Sequence, residues 1–240
     1  MKVLALNASP RSGEQSKTQL MLNYLIEGMR DAGAEVETLA LREKTITQCI
    51  GCFTCWTKTP GTCVHKDDMA TELFPKWREA DIVVYATPLY NYTVTSLLKA
   101  FIERTLPSSQ PFFEIHEGRM FHPLRYKTPA VVILSVSGMP DEGHFDALST
   151  LVKYLYASPG RRLLAEIYRS AAEAMTVPFL KDTVDDILDA TRQAGRELVQ
   201  SMKISPETLK RITQPLLDAQ TFAEGANKMW KTVIAEGKSR

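Results

Sequence analysis

All four cysteines of this 240-residue chain fall between positions 49 and 63. They read C-x2-C-x2-C-x7-C, as Cys49, Cys52, Cys55 and Cys63. Three cysteines at three-residue intervals let one tight loop wrap a single iron-sulfur cluster. No second set of cysteines exists, so Cys63 has to return to that same cluster. Pro60-Gly61 supplies a turn that brings it back. A structural zinc site fits poorly, because it takes two separated ligand pairs. A redox dithiol fits, since C-x-x-C occurs twice and overlaps. Free thiols in a folded loop are the plain alternative.

A second segment carries phosphate chemistry. It runs Asn7-Ala8-Ser9-Pro10-Arg11-Ser12-Gly13-Glu14-Gln15-Ser16-Lys17-Thr18, between an apolar strand and an amphipathic helix. The loop offers hydroxyls at Ser9, Ser12, Ser16 and Thr18 and a guanidinium at Arg11. The helix start adds backbone N–H groups and a positive partial charge. Ser9, Arg11, Ser16, Lys17 and Thr18 are therefore the candidate phosphate contacts. The plainer reading makes Ser16 a helix cap in a polar loop; the combination of Arg, hydroxyls and helix start favours a phosphate monoester. G-x-x-x-x-G-K-[ST] is absent, which excludes a P-loop nucleotide hydrolase. G-x-G-x-x-G is absent as well, so a mononucleotide suits the loop better than a dinucleotide.

Two further loops follow apolar strands. Thr87-Pro88-Leu89-Tyr90-Asn91-Tyr92 combines a stiff proline with apolar and aromatic surface. Taken alone, Tyr90 and Tyr92 read as half-buried tyrosines. Ser135-Val136-Ser137-Gly138-Met139-Pro140 places a glycine where backbone can approach a ligand. A serine nucleophile needs G-x-S-x-G, and position 135 is serine, so a hydrolase elbow fails. His144 nearby reads as a structural or solvent-exposed helix histidine. H-E-x-x-H fails after His116-Glu117, because position 120 is methionine.

The elements that must position these loops alternate between apolar runs and amphipathic stretches. Strands are expected at 2–6, 35–41, 81–86, 130–135 and 162–168. The first helix shows Leu20, Met21, Tyr24, Leu25 and Met29 on one face and ends at Ala32-Gly33. Asp67 caps a short helix running to about 79. Val94, Leu97, Leu98 and Phe101 stripe the helix after the third strand. Further helices are expected at 141–156 and from Asp182, with Val184, Ile187, Leu188 and Leu198 inward. Residues 106–127 interrupt the repeat as an insertion or long loop, suited to a lid or a dimer contact. The sum is an α/β, doubly wound, five-stranded parallel sheet with helices on both faces. Its spacing fits the flavodoxin-like strand order better than a longer two-half dinucleotide fold. Residues 1–202 form this domain, and 203–240 a C-terminal helical extension of two helices. Ser205-Pro206-Glu207 starts the first of them. Phe222, Met229, Trp230, Val233 and Ile234 stripe the second and must bury against the body or another subunit.

Composition narrows the partners. With 29 basic and 28 acidic residues the formal charge is +1, which argues against general nucleic-acid binding. No run of about 18 apolar residues is present, so no membrane span is expected. The first residues are too broken for a signal peptide. A cytoplasmic location follows as an expectation, and there clustered cysteines are thiols or metal ligands rather than disulfides.

The segment Leu6-Asn7-Ala8-Ser9-Pro10-Arg11, with Ser16 and Thr18, resembles the flavin-phosphate loop of the NAD(P)H-dependent FMN reductase family. Many relatives carry glycine where this chain has Ala8. Thr87–Tyr92 resembles the family's second flavin loop, beside the isoalloxazine ring, and Ser137-Gly138 suits a third loop closing on it. Lys99, Phe101 and Arg104 also match the family pattern and read as packing and salt bridging. The cysteine segment through Cys63-Val64-His65-Lys66-Asp67-Asp68-Met69 resembles the iron-sulfur flavoprotein branch. The resemblance implies FMN held by Ser9, Arg11, Ser16, Lys17, Thr18, Pro88, Leu89, Tyr90, Asn91, Ser137 and Gly138. It implies a [4Fe-4S] cluster on Cys49, Cys52, Cys55 and Cys63, close to the flavin of the same or a neighbouring subunit. NAD(P)H or a reduced, ferredoxin-like protein would then donate electrons, and the cluster or a quinone accept them, with no catalytic acid or base singled out. A flavodoxin-like electron carrier without its own substrate is the chief alternative; a flavin-free regulatory protein is the second. A homodimer or homotetramer is expected from surplus apolar surface at 106–127 and around Trp230.

Overall fold

A computed structural model describes residues 1–237. Its strands are β1 (Lys2–Asn7), β2 (Glu35–Ala40), β3 (Ile82–Pro88), β4 (Glu114–His116), β5 (Arg119–Phe121), β6 (Ala130–Val136) and β7 (Arg162–Arg169). Its helices are α1 (Lys17–Asp31), α2 (Phe74–Glu79), α3 (Ser96–Glu103), α4 (Asp146–Leu155), α5 (Lys181–Ser201), α6 (Pro206–Thr213) and α7 (Ala219–Glu236). Five strands make one sheet in the order β2-β1-β3-β6-β7. Every pairing in it is parallel. The central strands β3 and β6 are mostly apolar and almost wholly buried, as a sheet covered on both faces requires.

One apolar cluster lies under α1 and α5, the other under α2, α3 and α4. The chain order reverses between β1 and β3. In open α/β sheets ligands bind outside the carboxyl ends of the strands at such a switch point.

The five sheet strands and the helix faces lie where the apolar pattern predicts them. Local details differ. Asp67 does cap the helical stretch after the cysteine loop, accepting from Ala70 N at 3.1 Å, but that stretch opens as a wide π turn at Met69–Leu73. The helix at 141–156 begins with a 3₁₀ turn, Glu142–Phe145, capped by Asp141. The 106–127 segment has structure of its own: a 3₁₀ turn, Leu106–Ser108, and the antiparallel β4–β5 hairpin.

The C-terminal helices behave differently from one another. α6 joins the body, with Ile212 and Leu216 in the α1–α5 cluster. The buried Arg169 guanidinium donates to the Ile212 and Gln214 carbonyls at 2.7 Å each. Burial pulls its pKa down to about 10. Glu197 on α5 accepts from Ser205 N and the Thr208 hydroxyl at 2.7 and 2.8 Å. By contrast α7 buries no residue completely, and Trp230 and Ile234 stay exposed.

Candidate functional site

At the switch point the loops after β1, β3, β6 and β7 surround a cleft of about 200 Å³. Ser9, Arg11, Ser16, Lys17 and Thr18 line it from the first loop, Pro88, Leu89 and Tyr90 from the second, and Ser137 and Gly138 from the third. These ten come from segments more than 120 residues apart in sequence. Asn91 is not among the lining residues. It sits exposed at the tip of a tight turn in which Tyr90 and Thr93 exchange two backbone hydrogen bonds of 3.0 Å.

The first loop is held by its own side chains. Asn7, buried at the end of β1, accepts from Ser9 N at 2.9 Å and donates to Gln19 at 2.7 Å. Ser9 Oγ accepts from Arg11 N at 3.2 Å and from Ser16 Oγ at 3.0 Å. Ser16 Oγ also accepts from Gln19 N at 3.1 Å and so caps α1. Thr95 Oγ1 donates to the Ala8 carbonyl at 3.0 Å, and Leu89 N to the Val136 carbonyl at 2.8 Å. The result is a rigid cradle of hydroxyls at a helix N-terminus, the donor set an anionic oxygen needs. That chemistry fits the phosphate end of FMN.

Sequence reasoning missed Glu173. It lies in the loop after β7, also lines the cleft, and pairs with Arg11 at 3.0 Å. No motif marks it; the only signal was its place after the fifth strand's carboxyl end. The mouth of the cleft is aromatic. Tyr90, Tyr92 and Met139 are exposed there or beside it, and Tyr92 stacks on His144 with centroids 5.5 Å apart. Asn91 and Tyr92 adopt φ of 47° and 63°. Asparagine tolerates that region, but for tyrosine it is strained.

The cysteine loop packs against α3 and the 106–127 segment. Cys49, Cys52, Cys55 and Cys63 line one small cavity of about 20 Å³, room for one water. Gly61, at φ 83°, donates its N–H to the Cys55 carbonyl at 2.9 Å. This turn returns Cys63 to the other three, as Pro60-Gly61 predicted. Trp56 Nε1 donates to the Leu106 carbonyl at 3.3 Å, and an aromatic run Phe53–Trp56–His122–Phe113 seats the hairpin segment on the loop.

Below the loop lies a buried ion pair. Arg104 Nη1 and Nη2 donate to Asp67 at 2.8 and 3.0 Å, and Nη1 also to the Thr47 carbonyl at 2.5 Å. Burial opposes ionisation of Asp67, but the Arg104, Thr47 N–H and Ala70 N–H bonds hold its carboxyl well below the usual carboxylate range. Burial raises the Cys55 thiol pKa, and the neighbouring thiols add to it. Hydrogen bonds from Thr54 lower that of the exposed Cys52.

Four thiols around one cavity match the donor set of a cluster. Two more atoms agree: Arg104 Nε and His65 Nε2 are buried polar groups without a hydrogen-bond partner, and both residues line this cavity. No three described Cys, His, Asp or Glu side chains close on one point as a single ion needs. A cluster is a wider body, and admitting one requires the loop to spread.

A five-stranded parallel sheet in this order with a hydroxyl-lined cleft at its switch point defines a flavodoxin-like α/β protein. Comparison with known proteins places it within that class. A family model described as NADPH-dependent FMN reductase matches residues 1–183, and the chain belongs to that family. An iron-sulfur flavoprotein of Archaeoglobus fulgidus is 41% identical over 108 residues, 45% of this chain and 46% of that protein. One from Methanocaldococcus jannaschii is 36% identical over 104 residues, 43% of this chain and 50% of that protein. The chain thus spans about half the length of the curated relatives it matches. Among solved structures, an FMN-dependent NADH-azoreductase from Bacillus anthracis in complex with FMN superposes with a TM-score of 0.61 at 15% identity, over 83% of this chain and 99% of that one. An NAD(P)H:quinone oxidoreductase from Methanothermobacter marburgensis gives 0.60 at 18% identity, over 82% and 96%. These likenesses establish the shared fold. Among the described residues no helix is long and apolar enough to cross a membrane.

Proposed function

We propose that the protein is an FMN-dependent NAD(P)H oxidoreductase that passes electrons onward to a [4Fe-4S] cluster in its cysteine loop or to a small acceptor such as a quinone. The observation that carries this reading is the meeting in one cleft of ten residues from three loops that the family resemblance assigns to FMN. In it, Ser9, Ser16 and Thr18 would hydrogen-bond the phosphate, Arg11 and Lys17 would balance its charge, and the α1 N-terminus would add its dipole. Pro88, Leu89, Tyr90, Ser137 and Gly138 would hold the ring. Bound there, FMN would supply hydride and electron-transfer chemistry.

The protein orients the ring and excludes water; no general acid or base is required of it. The names of the curated relatives and the four converging thiols support the cluster on Cys49, Cys52, Cys55 and Cys63. The exposed apolar residues of the 106–127 segment and of α7 support a homo-oligomer. A ferredoxin-like donor is the protein partner this reading admits.

The deciding experiment is an anaerobic absorption spectrum with iron and sulfide analysis, followed by NAD(P)H oxidation with a quinone acceptor. A yellow protein that turns over NAD(P)H is expected. Colourless material whose addition leaves riboflavin 5′-phosphate fluorescence unquenched overturns the reading. Bound flavin without NAD(P)H turnover instead identifies an electron carrier.

A further inference from the structure

The two unpartnered nitrogens in the cysteine cavity have no role in the fold. Arg104 is fully committed at its tip: Nη1 and Nη2 hold Asp67 and the Thr47 carbonyl, and the side chain is 1% exposed. Only Nε is left over, buried and without an acceptor. His65, two residues after Cys63, likewise leaves Nε2 buried and unmatched. Buried polar nitrogens without partners are destabilising, and Arg104 Nε–H always donates while His65 Nε2 donates in its Nε2–H tautomer, so a fold that keeps both in one small cavity implies an acceptor that belongs there. The other lining groups are the four cysteines, apolar side chains and Glu103. Glu103 is engaged by Lys99, and the remaining acceptors around the two nitrogens are the sulfurs of the four cysteines. The acceptor the cavity offers is therefore sulfur.

We infer that Arg104 and His65 are positioning residues that donate N–H···S hydrogen bonds to a [4Fe-4S] cluster in the cysteine loop and raise its reduction potential. The inference rests on the cluster reading above and adds which of this chain's residues tune it. An arginine suits the task where a lysine does not. Its planar fork grips Asp67 with one edge and keeps Nε–H for the other side. Hydrogen bonds to cluster sulfurs disperse negative charge, and the reduced state carries more of it. Removing a donor should lower the potential.

The test compares wild type, His65→Leu, His65→Gln and Arg104→Lys after anaerobic reconstitution with iron and sulfide. Iron content, the midpoint potential from a spectroscopically monitored redox titration, and thermal stability with and without iron are read for each. His65→Leu and Arg104→Lys should keep their iron and show lower midpoints. His65→Gln should return towards wild type, because its amide still donates. The melting temperature of His65→Leu should be unchanged or higher without iron and lower with it, since the same nitrogen is an orphan in one state and bonded in the other. Iron-loaded variants with the wild-type midpoint overturn the inference while leaving the cluster standing. Wild type that takes up no iron overturns both. A His65→Leu protein destabilised equally in both states assigns His65 a purely structural role and overturns its part.

Discussion

At the scale of single residues the cleft holds a built-in competition. Arg11 is the phosphate loop's guanidinium, yet Glu173 pairs with it at 3.0 Å. A phosphate must win Arg11 from this carboxylate. Arg11→Ala should weaken FMN binding by roughly tenfold or more, given about 1.5–3 kcal/mol for a charge-assisted hydrogen bond. Glu173→Gln should act oppositely and tighten it by about two- to fivefold, the scale of a partly exposed ion pair. Fluorescence titration with riboflavin 5′-phosphate reads both, and unchanged affinity in Arg11→Ala would remove that residue from the site. Asp67 is the other residue whose chemistry reaches beyond itself. Its folded-state pKa lies below its unfolded value, so the stability it contributes is complete above about pH 4 and is lost as pH falls below that. Asp67→Asn strands Arg104 and should cost about 3–5 kcal/mol at neutral pH. In urea melts the gap between wild type and variant should narrow below about pH 4; a gap independent of pH would show that the carboxylate's charge is not what matters.

At the scale of elements, α1 and α5 are packed backbone to backbone. A Cβ on Gly28 would lie 1.7 Å from the Arg192 carbonyl oxygen, and one on Gly195 2.1 Å from that of Leu25. Alanine is the better helix former by about 1 kcal/mol, but here the clash is with backbone that has no rotamer to escape into. Gly195→Ala should therefore be net destabilising, by about 1–3 kcal/mol or more. At about 2–4 °C per kcal/mol for a protein of this size, calorimetry would detect it. A raised melting temperature would show that the two helices slide apart freely. The pair is bound at its outer end as well, where Asp31 meets Arg192 and Arg196 at 2.7 and 2.8 Å. Hydrogen bonds from Arg192 foremost pull the Asp31 pKa down to about 2.

At the scale of the whole molecule, apolar side chains are left exposed in several places among the described residues, three of them outside the cysteine loop and able to serve an interface. Phe112, Phe113, Ile115 and Met120 are exposed on the hairpin segment, Trp230 and Ile234 on α7, and Tyr90 and Tyr92 at the cleft mouth. Monomers seldom expose large contiguous apolar patches without a use for them. Multi-angle light scattering should therefore return a dimer or tetramer. A monodisperse monomer would mean that the cleft mouth is complete in one chain and that α7 serves another purpose. The C-terminal segment itself is of two kinds, α6 tied to the sheet through Arg169 and α7 resting on the surface.

The sequence by itself determined the sheet, the helix faces and nearly all of the cleft. Apolar periodicity is a local property, and strands must end where their apolar runs end, so the hydroxyl- and Arg-bearing loop after β1 marked its lining residues from chemistry alone, while those of the loops after β3 and β6 followed from the resemblance to the FMN reductase family. The Pro60-Gly61 turn was legible for the same reason, because a glycine at φ 83° leaves its mark in the residue type. What tertiary structure decided are relations between segments with no shared local pattern. The strand pairing is one: the order β2-β1-β3-β6-β7 is the flavodoxin-like one the spacing favoured, but which strands pair was settled by the crossovers rather than by the strands' own residues. Glu173 opposite Arg11 is another, 162 positions away. The Asp67–Arg104 pair beneath the cysteine loop and the glycine contact between α1 and α5 are of the same kind. In each, a side chain's role depends on which partner the fold brings to it, and a single chain of letters carries composition and period but not distance in space.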